Sequence, residues 1–492
     1  MTQQTSLLVA AVDISWLEIL IPIIAAVFGF ALRPFLYVGI EVLRRRWDVR
    51  RRVATLARRE EEAEAGPSTR DLKSEGPEER PSEALDNLAR DPIRGPRIYV
   101  SAVEAEDFRC FAEMAVNLHH PGDGSGLRYP NVNLVIGDNG AGKSTLLKAI
   151  AIAALGPILD SSPFVPYHLI RSHSKRSLVR GDFLVDDRRS SPEQLTGVVE
   201  LARLGDYYEE LVARHDRGAW SDLFEESDAA FLVIGYGVNR RVAEDESERT
   251  YLERARRRRR YQRVAGLFDE GAVLVPLASW LPTLGLRRRG EVERLLNKLL
   301  PKEASLAERR RDDEVFECRG QEIPYSALSD GYRSFIGWVG DLLFQIDSAA
   351  REDMPLDQVG GIVLVDEVDL LLHPSWQREV VPLIAETFPN LQFVFTTHSP
   401  IVAGTLQAGN ILIARVDELG RSKLVRIAAS IHGLNAEQIL LSSYFELEST
   451  RAVETQEGLG ELAERAMRGD DEAAVDYLRI LAAGAERHDA PK

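Results

Sequence analysis

The chain has 492 residues, 45% apolar and 28% charged, which is enough for two or three domains with a sizeable core. A net charge of −16 argues against a protein that coats nucleic acid nonspecifically. The two cysteines, Cys110 and Cys318, are too few for a disulfide framework or a zinc site, and we expect both thiols to be buried in a reducing compartment.

The N-terminal region is strongly apolar and is followed by arginines. Residues 1–15 are a tail, and residues 16–43 predict a helix that spans the membrane or associates with it, although it contains Glu18, Arg33 and Glu41. Residues 44–60 form a basic juxtamembrane segment, which by the positive-inside rule keeps the rest of the chain on the cytoplasmic side. The alternative is a helix that oligomerises or lies on the membrane surface.

A change in composition separates this region from the globular part. Residues 61–95 are rich in Glu, Pro, Ser and Gly and predict a disordered linker. Residues 96–432 predict one domain with an insert at about 160–320, beginning with two β segments near Arg97. Within the insert we predict a buried strand and two helices, at Phe231–Ile234, Ser191–Arg214 and Glu291–Leu300.

A glycine loop lies between a predicted strand, Asn131–Ile136, and a predicted helix, Thr145–Leu155, which we expect to stop at Gly156-Pro157. The loop matches G-x-x-x-x-G-K-[ST], whose glycines let backbone N–H groups crowd around phosphates at a helix N-terminus. Lys143 would reach the β and γ phosphates, and the Ser144 hydroxyl would hold Mg²⁺. The alternative is a glycine turn without a ligand. The predicted nucleotide contacts are Gly137, Asp138, Asn139, Gly140, Ala141, Gly142, Lys143, Ser144 and Thr145.

Two later apolar strands end in polar residues suited to hydrolysis. Gly361–Val365 runs into Asp366, expected to hold Mg²⁺ through water, and Glu367, expected to orient and deprotonate the attacking water. After the second strand, His398 in Thr-Thr-His-Ser-Pro is expected to bond the γ-phosphate. A loop cap and a structural histidine are the alternatives. The predicted catalytic residues are Glu367, His398 and Lys143, and the predicted metal ligands are Ser144 and Asp366.

A third motif, Leu-Ser-Asp-Gly-Tyr-Arg, contains Ser329 and Gly331 and opens a predicted helix at Phe335–Ile346. Taken alone, this pattern is also typical of helix N-capping. A dense arginine run, Arg254–Arg263, is a candidate nucleic-acid contact with Tyr251 and Tyr261 available for stacking. The alternative is a solvated face or a loop that pairs with nearby acidic residues.

Together the motifs resemble the ABC-type ATPase superfamily, and the resemblance covers the chain from Arg97 onward. It implies an α/β fold, an ABC-ATPase head with a RecA-like core and antiparallel β and helical lobes, here preceded by an N-terminal apolar helix. It also implies ATP and Mg²⁺ as cofactors, and a head-to-tail homodimer in which Ser329 and Gly331 of one subunit cap the ATP of the other. Asp330 and Tyr332 depart from the transporter signature, and no Q-loop glutamine is assigned. Phe108, Arg109 and Phe111 are candidates to pack on adenine.

Three sequence motifs are similar to those of bacterial AAA-family ATPases of the OLD/RecF-like clade, particularly the ATPases of Septu-type and retron-associated anti-phage systems. These motifs are NLVIGDNGAGKSTLLKAIA, YSALSDGYRSFIGWVGDLL and VDEVDLLLHPSWQ. The resemblance implies an ATP-hydrolysing switch that relays hydrolysis to a nucleic acid or to an effector protein encoded nearby. The alternatives are a RecF-like DNA-repair ATPase and the ATP-binding subunit of a membrane transporter. We find no Glu plus Asp-x-Asp nuclease pattern after His398.

The C-terminal segment, residues 433–492, predicts amphipathic helices at Ala436–Leu441, Thr455–Met467 and Asp471–Ala482. They either dock an effector or cover the ATPase core. The expected location is therefore a cytoplasmic ATPase domain anchored to the inner membrane by one N-terminal helix.

Overall fold

A computed structural model describes residues 97–483, except 161, 163, 187–192, 205–207, 216–219, 221–230, 244–258, 308–313, 352 and 448. All of these residues fall within one unit of the chain, Leu85–Lys492. The predicted tail, apolar helix, basic segment and linker, residues 1–95, lie outside the described residues. Among the helices that are described, none is long and apolar enough to cross a membrane.

The described strands, in chain order, are β1 (Arg97–Phe108), β2 (Phe111–Asn117), β3 (Val132–Gly137), β4 (Arg176–Asp186), β5 (Glu193–Leu204), β6 (Tyr208–Ala213), β7 (Val233–Tyr236), β8 (Arg241–Val242), β9 (Val273–Leu274), β10 (Ala304–Leu306), β11 (Val315–Cys318), β12 (Gln321–Pro324), β13 (Gly361–Val365), β14 (Leu391–Thr396), β15 (Ile411–Val416) and β16 (Ser422–Val425).

The helices in the same ranges are α1 (Lys143–Asp160), α2 (Arg259–Ala265), α3 (Leu277–Trp280), α4 (Leu286–Leu299), α5 (Asp330–Ala349), α6 (Pro374–Gln377), α7 (Val380–Thr387), α8 (Pro400–Ala403), α9 (Ala436–Leu440), α10 (Val453–Met467) and α11 (Asp471–Ala483).

A six-stranded sheet lies at the centre, in the order β16-β15-β3-β14-β13-β7, with every strand parallel except the edge strand β16. Strands β3, β13 and β14 are covered on both faces, which explains their nearly continuous apolar runs. Because these neighbouring strands are parallel, their carboxyl ends meet at one edge of the sheet. The glycine loop after β3, the acidic turn after β13 and the histidine loop after β14 therefore leave the sheet side by side.

Each face of the central sheet has its own apolar core. Val135 belongs to one core, while its neighbours Leu134 and Ile136 belong to the other. The first core contains α1 and an antiparallel sheet of order β2-β1-β4-β5-β6, and the second contains α4, α5 and α7. The two sheets are joined by the fully buried Gln392, whose amide exchanges hydrogen bonds with Val100 N (2.8 Å) and Val100 O (2.7 Å).

The structure corrects the helix predicted at Ser191–Arg214, because the described residues of this stretch include strands β5 (Glu193–Leu204) and β6 (Tyr208–Ala213) and no helix. The stretch alternates, with Val199 and Leu201 buried and Glu200 on the other face, and β5 pairs with β4 along most of its length. Long-range pairing therefore overrides a composition that favours a helix.

Helix α1 also continues beyond its predicted end, through Gly156 and Pro157 to Asp160. A Cβ at Gly156 would lie 2.5 Å from the Val199 Cγ2 atom, so this glycine permits close helix-to-sheet packing rather than ending the helix. Cys110 and Cys318 are free thiols, as expected, but both are half-buried rather than buried. The predicted helices at Glu291–Leu300 and in the C-terminal segment are present as α4, α9, α10 and α11.

Candidate functional site

The glycine loop after β3 owes its shape to close contacts beneath it. Gly137 (φ 141°) and Gly142 (φ 109°) have backbone angles that favour glycine. A Cβ at Gly137 would lie 2.1 Å from Ala414 O, and one at Gly142 would lie 2.5 Å from the Phe111 ring. Gly140 (φ 79°) has no atom within 4 Å of a Cβ position, so the loop packs tightly below and stays open above.

Lys143 folds back across this loop. Its ammonium donates hydrogen bonds to Gly137 O (2.8 Å) and Asp138 O (2.9 Å), and only 6% of the residue is exposed. Burial lowers the pKa of Lys143, while the negative charges of Asp366 and Glu367 oppose that shift. The lysine therefore lies between the glycine loop and the acidic turn. A bound anion could replace the two loop carbonyls as the acceptor of its hydrogen bonds.

The other loop residues divide by exposure. Asp138, Asn139 and Gly140 are exposed, Ser144 is half-buried, and Ala141 and Thr145 are buried. The Thr145 hydroxyl lies 3.7 Å from the Cys110 sulfur.

One cavity of about 630 Å³ brings the loop together with residues from much later in the chain. Its volume falls within the range of small-molecule sites. Glu367 and His398 line it beside Lys143 and Ser144. The remaining lining residues are Arg109, Cys110, Asn139, Gly140, Gly142, Thr145, Tyr167, His168, Ile170, Ser172, His173, Arg203 and Glu209.

The acidic turn after β13 is held by hydrogen bonds from Thr396 in the neighbouring strand β14. The Thr396 hydroxyl donates to Asp366 Oδ1 (2.5 Å) and accepts from Glu367 N (2.8 Å). Asp366 is 5% exposed, and Glu367 has φ 50°, a conformation that costs a non-glycine residue about 1–3 kcal/mol. Surrounding hydrogen bonds therefore hold the backbone of Glu367 in this conformation, and the residue lines the cavity.

Arg240, just before β8, completes that turn. Its guanidinium donates to Asp366 O (3.2 Å) and to Glu367 O, and it lies 5.7 Å from the Trp338 ring of α5. Burial lowers its pKa to about 10, against the opposing charges of Asp366, Asp369 and Glu367, so Arg240 is charged at neutral pH. Arg240 does not stand out in the sequence, because it acts on a turn that is 126 residues away in the chain. Thr396 opens the Thr-Thr-His-Ser-Pro motif, but its bond to Asp366 is not evident from the sequence.

The loop that carries His398 is fixed on both sides of the histidine. The Thr397 hydroxyl donates to Asp369, and Ser399 N donates to Thr397 Oγ1 (2.9 Å). The Ser399 hydroxyl donates to Gln377 Oε1 (2.8 Å) in α6. His398 itself is half-buried and faces the cavity.

The signature residues lie away from this cavity. Ser329 is exposed and occupies the N-cap position of α5, but its side chain makes no capping hydrogen bond there. A Cβ at Gly331 would lie 2.6 Å from Leu371 O, so close packing against the segment after Glu367 requires glycine. Neither Ser329 nor Gly331 lines the cavity in a single chain.

Two of the three adenine candidates are corrected by the structure. Phe108 and Phe111 are fully buried in the core beneath the glycine loop, so neither ring can contact a ligand. Arg109 does line the cavity. Side chains alternate between the two faces along β1 and β2, and Phe108 pairs with Phe111 across the turn. Both rings therefore lie on the same face of the sheet and enter the same core.

The arginine run is described only from Arg259 onward, and its earlier part and Tyr251 lie outside the described residues. Arg263 is 3% exposed and donates to Ser348 Oγ (3.2 Å) on α5, so it is a packing residue and does not offer a nucleic-acid contact. Tyr261 is half-buried and packs against the core that contains α1.

Fold and site together define a P-loop ATPase of mixed α/β architecture. The chain belongs to the AAA ATPases, because the family profile described as "AAA domain, putative AbiEii toxin, Type IV TA system" matches residues 132–403, more than half of the chain.

Two relatives confirm the resemblance to Septu and retron ATPases. Septu protein PtuA of Bacillus mycoides (strain KBAB4) is 25% identical over 371 residues, covering 74% of this chain and 47% of PtuA. "Retron Vc95 probable ATPase" of Vibrio cholerae serotype O1 biovar El Tor is 40% identical over 124 residues, covering 25% of this chain and 23% of the relative. The chain thus spans less than half the length of these relatives.

A solved SMC head bound to the C-winged helix domain of ScpA matches 67% of this chain and 98% of its own chain, with a TM-score of 0.41 and 15% identity.

Proposed function

We propose that this chain is an ATP-hydrolysing switch that uses Mg²⁺ and closes as a head-to-tail dimer around ATP. The observation that carries the proposal is the single cavity that joins Lys143, Glu367 and His398, which come from three separate segments of the chain. The phosphates would lie over the open side of the glycine loop, at the N-terminus of α1. There Lys143 would exchange the loop carbonyls for phosphate oxygens.

The donor set near the loop fits Mg²⁺. The Ser144 hydroxyl lines the cavity, and Asp366 is a nearly buried carboxylate whose Oδ1 is oriented by Thr396. In the described ranges, no group of three or more His, Cys, Asp or Glu side chains is placed to hold a metal on its own. Two protein ligands with phosphate oxygens and waters are the usual environment of Mg²⁺, which neutralises charge that develops on the phosphates.

Hydrolysis then assigns distinct roles to two side chains. Glu367 would accept a proton from the attacking water while the oxygen of that water bonds to the γ-phosphorus. The bond from the γ-phosphorus to the bridging oxygen breaks, which leaves ADP and phosphate. His398 would donate a hydrogen bond to the γ-phosphate and so distinguish ATP from ADP.

The position of the signature supports closure by a second copy. Ser329 is exposed, its side chain makes no capping hydrogen bond at α5, and it lies outside the cavity of its own chain. A second head, related by two-fold symmetry, would bring Ser329 and Gly331 onto the γ-phosphate held by the first. Hydrolysis would remove that shared contact and release the heads.

The switch would be read by another molecule, and an anti-phage role with an effector encoded nearby is part of the proposal. Relatedness to Septu PtuA and to a retron ATPase supports this part. A DNA-repair role of the RecF kind is the competing outcome.

The deciding experiment measures ATP turnover by the full chain, alone and with duplex DNA, single-stranded DNA or RNA, and records the oligomeric state of Glu367→Gln with ATP. ATP-dependent dimers support the switch. Stimulation by nucleic acid favours the repair role, and no response favours a protein partner. Absence of ATP turnover in every condition contradicts the proposal.

Membrane attachment through residues 16–43 is a separate part of the proposal that rests on sequence alone. Membrane fractionation would compare the full chain with a chain that begins at Pro96. Sedimentation of the full chain alone with membranes supports the anchor, whereas recovery of both chains in the supernatant contradicts it.

A further inference from the structure

The cavity extends beyond the phosphate loop to a wall that is separate in sequence. This wall, called the base wall here, consists of Arg109, Tyr167, His168 and His173, all of which line the cavity. Arg109 lies in the turn between β1 and β2, and the other three follow α1. Residues of the glycine loop form another part of the lining, called the phosphate end here.

The segment that carries Tyr167 and His168 is fastened to the antiparallel sheet by Glu209. Backbone N–H groups of Leu169 and Ile170 donate to the two carboxylate oxygens of Glu209, at 2.8 and 3.1 Å. The Glu209 side chain is only 4% exposed. Two charge-assisted bonds to a buried carboxylate are among the stronger anchors available to a loop.

A second set of bonds ties the same segment to the β1–β2 turn. Arg109 N donates to Leu169 O (2.8 Å), and Arg171 N donates to Asp107 O (2.8 Å). The Arg171 guanidinium also donates to Cys110 O (2.7 Å). Asp107, Arg109 and His168 have φ values of 50°, 52° and 51°, which non-glycine residues rarely adopt. The segment and the turn are therefore built as one rigid unit.

The chemistry of the base wall matches a flat aromatic ligand. Tyr167 is 51% exposed although it lines the cavity, and its ring centroid lies 3.9 Å from that of His168 with the planes inclined by 59°. Arg109 adds a guanidinium that stacks on aromatic faces. Aromatic and guanidinium surfaces of this kind bind nucleobases through their π-faces.

We infer that the base wall is the nucleobase subsite of the ATP site, with Tyr167 stacking on the base. This inference rests on the proposed function, since the phosphate loop places the triphosphate of the same ligand at the other end of the cavity. It replaces the buried Phe108 and Phe111 by residues that a ligand reaches.

The test compares ATP with inorganic triphosphate, which has phosphates but no base. Isothermal titration calorimetry on the full chain with Mg²⁺ would use wild type, Tyr167→Ala, the ring-preserving control Tyr167→Phe, and Lys143→Ala. We expect Tyr167→Ala to weaken ATP binding about ten- to hundredfold, the usual loss for one stacked base, and to leave inorganic triphosphate unchanged. Tyr167→Phe keeps the ring and should bind ATP like wild type, whereas Lys143→Ala should weaken the binding of both ligands.

Unaltered ATP binding by Tyr167→Ala would overturn the inference, and so would an equal loss of both ligands. Equal affinity of wild type for ATP and triphosphate would also overturn it, because the base would then contribute nothing, although the proposed function would stand. If wild type binds neither ligand, the proposed function fails and the inference fails with it. Unchanged triphosphate binding also shows that the Tyr167→Ala protein is folded.

Discussion

The two ends of the cavity are constructed differently. The phosphate end is one continuous stretch, residues 137–145, in which the backbone supplies most of the proposed contacts. The base wall draws on two stretches brought together by hydrogen bonds, with Glu209 from a third holding them in place. A site made from consecutive backbone groups depends on a few glycines and one lysine. A site assembled from side chains depends instead on the bonds that hold its segments, here those from Glu209 to Leu169 N and Ile170 N, which we call the clamp.

The largest effect is expected for Glu367→Gln at the phosphate end. Turnover should fall about 10²- to 10⁴-fold, because glutamine cannot accept the proton of the attacking water. ATP binding should persist, and dimers should accumulate with ATP. Phosphate release and size-exclusion chromatography measure the two effects. Glu461→Gln on the exposed face of α10 is the matched control. Normal turnover, or loss of ATP binding, would remove Glu367 from the proposed role.

Lys143→Ala should come next, with ATP affinity reduced about 30- to 1000-fold, the cost of about 2–4 kcal/mol for a lost charge-assisted contact. Because burial already disfavours the Lys143 ammonium, the unfolding temperature without ligand should not fall. Calorimetry and thermal denaturation measure these effects, with the exposed Lys298→Ala as control. Wild-type affinity in Lys143→Ala would contradict a phosphate site at this end.

Ser329→Ala separates the single head from the closed dimer. The side chain lies outside the cavity of its own chain, so ATP binding by one head should be unchanged. In the Glu367→Gln background the dimer should dissociate about thirtyfold more readily, because one hydrogen bond of roughly 1 kcal/mol is lost in each of two sites, about 2 kcal/mol in total. Analytical ultracentrifugation with ATP measures the dimer constant. An unaffected dimer would exclude Ser329 from the interface.

Glu209→Gln probes the clamp and should give the smallest effect. Glutamine has one acceptor oxygen instead of two, so one of the backbone N–H groups of Leu169 and Ile170 loses its acceptor and the base wall loosens. ATP affinity should fall about three- to tenfold, a loss of roughly 1 kcal/mol, with inorganic triphosphate unaffected.

Hydrogen exchange checks the cause of that change. The amides of Leu169 and Ile170 should exchange faster in Glu209→Gln, while those of the phosphate loop should not change. Faster exchange at both ends would mean that the two ends are not separate structural units, and the comparison between them would fail.

Much of the phosphate end was predictable, because its shape follows from consecutive residues. A buried strand, three glycines and a following helix specify the loop locally, and the structure has β3, the loop and α1 in that order. The apolar strands before Asp366 and before Thr396 were predicted for the same reason. Their functional roles stay predictions, which the variants above test.

The remaining parts depend on residues that are distant in sequence. Residues 193–204 form a strand because β4 pairs with them, and Phe108 and Phe111 are buried because a core lies beneath the glycine loop. Arg240 and Glu209 make their bonds across 126 and 40 residues of chain.

By itself, then, the sequence determined the phosphate loop, the acidic strand end and the family, since each is encoded by neighbouring residues with strong backbone or apolar preferences. Only the tertiary structure decided which aromatic rings reach the cavity and which side chains hold the acidic turn. Those choices depend on strand pairing and burial, which bring together residues that no local pattern connects.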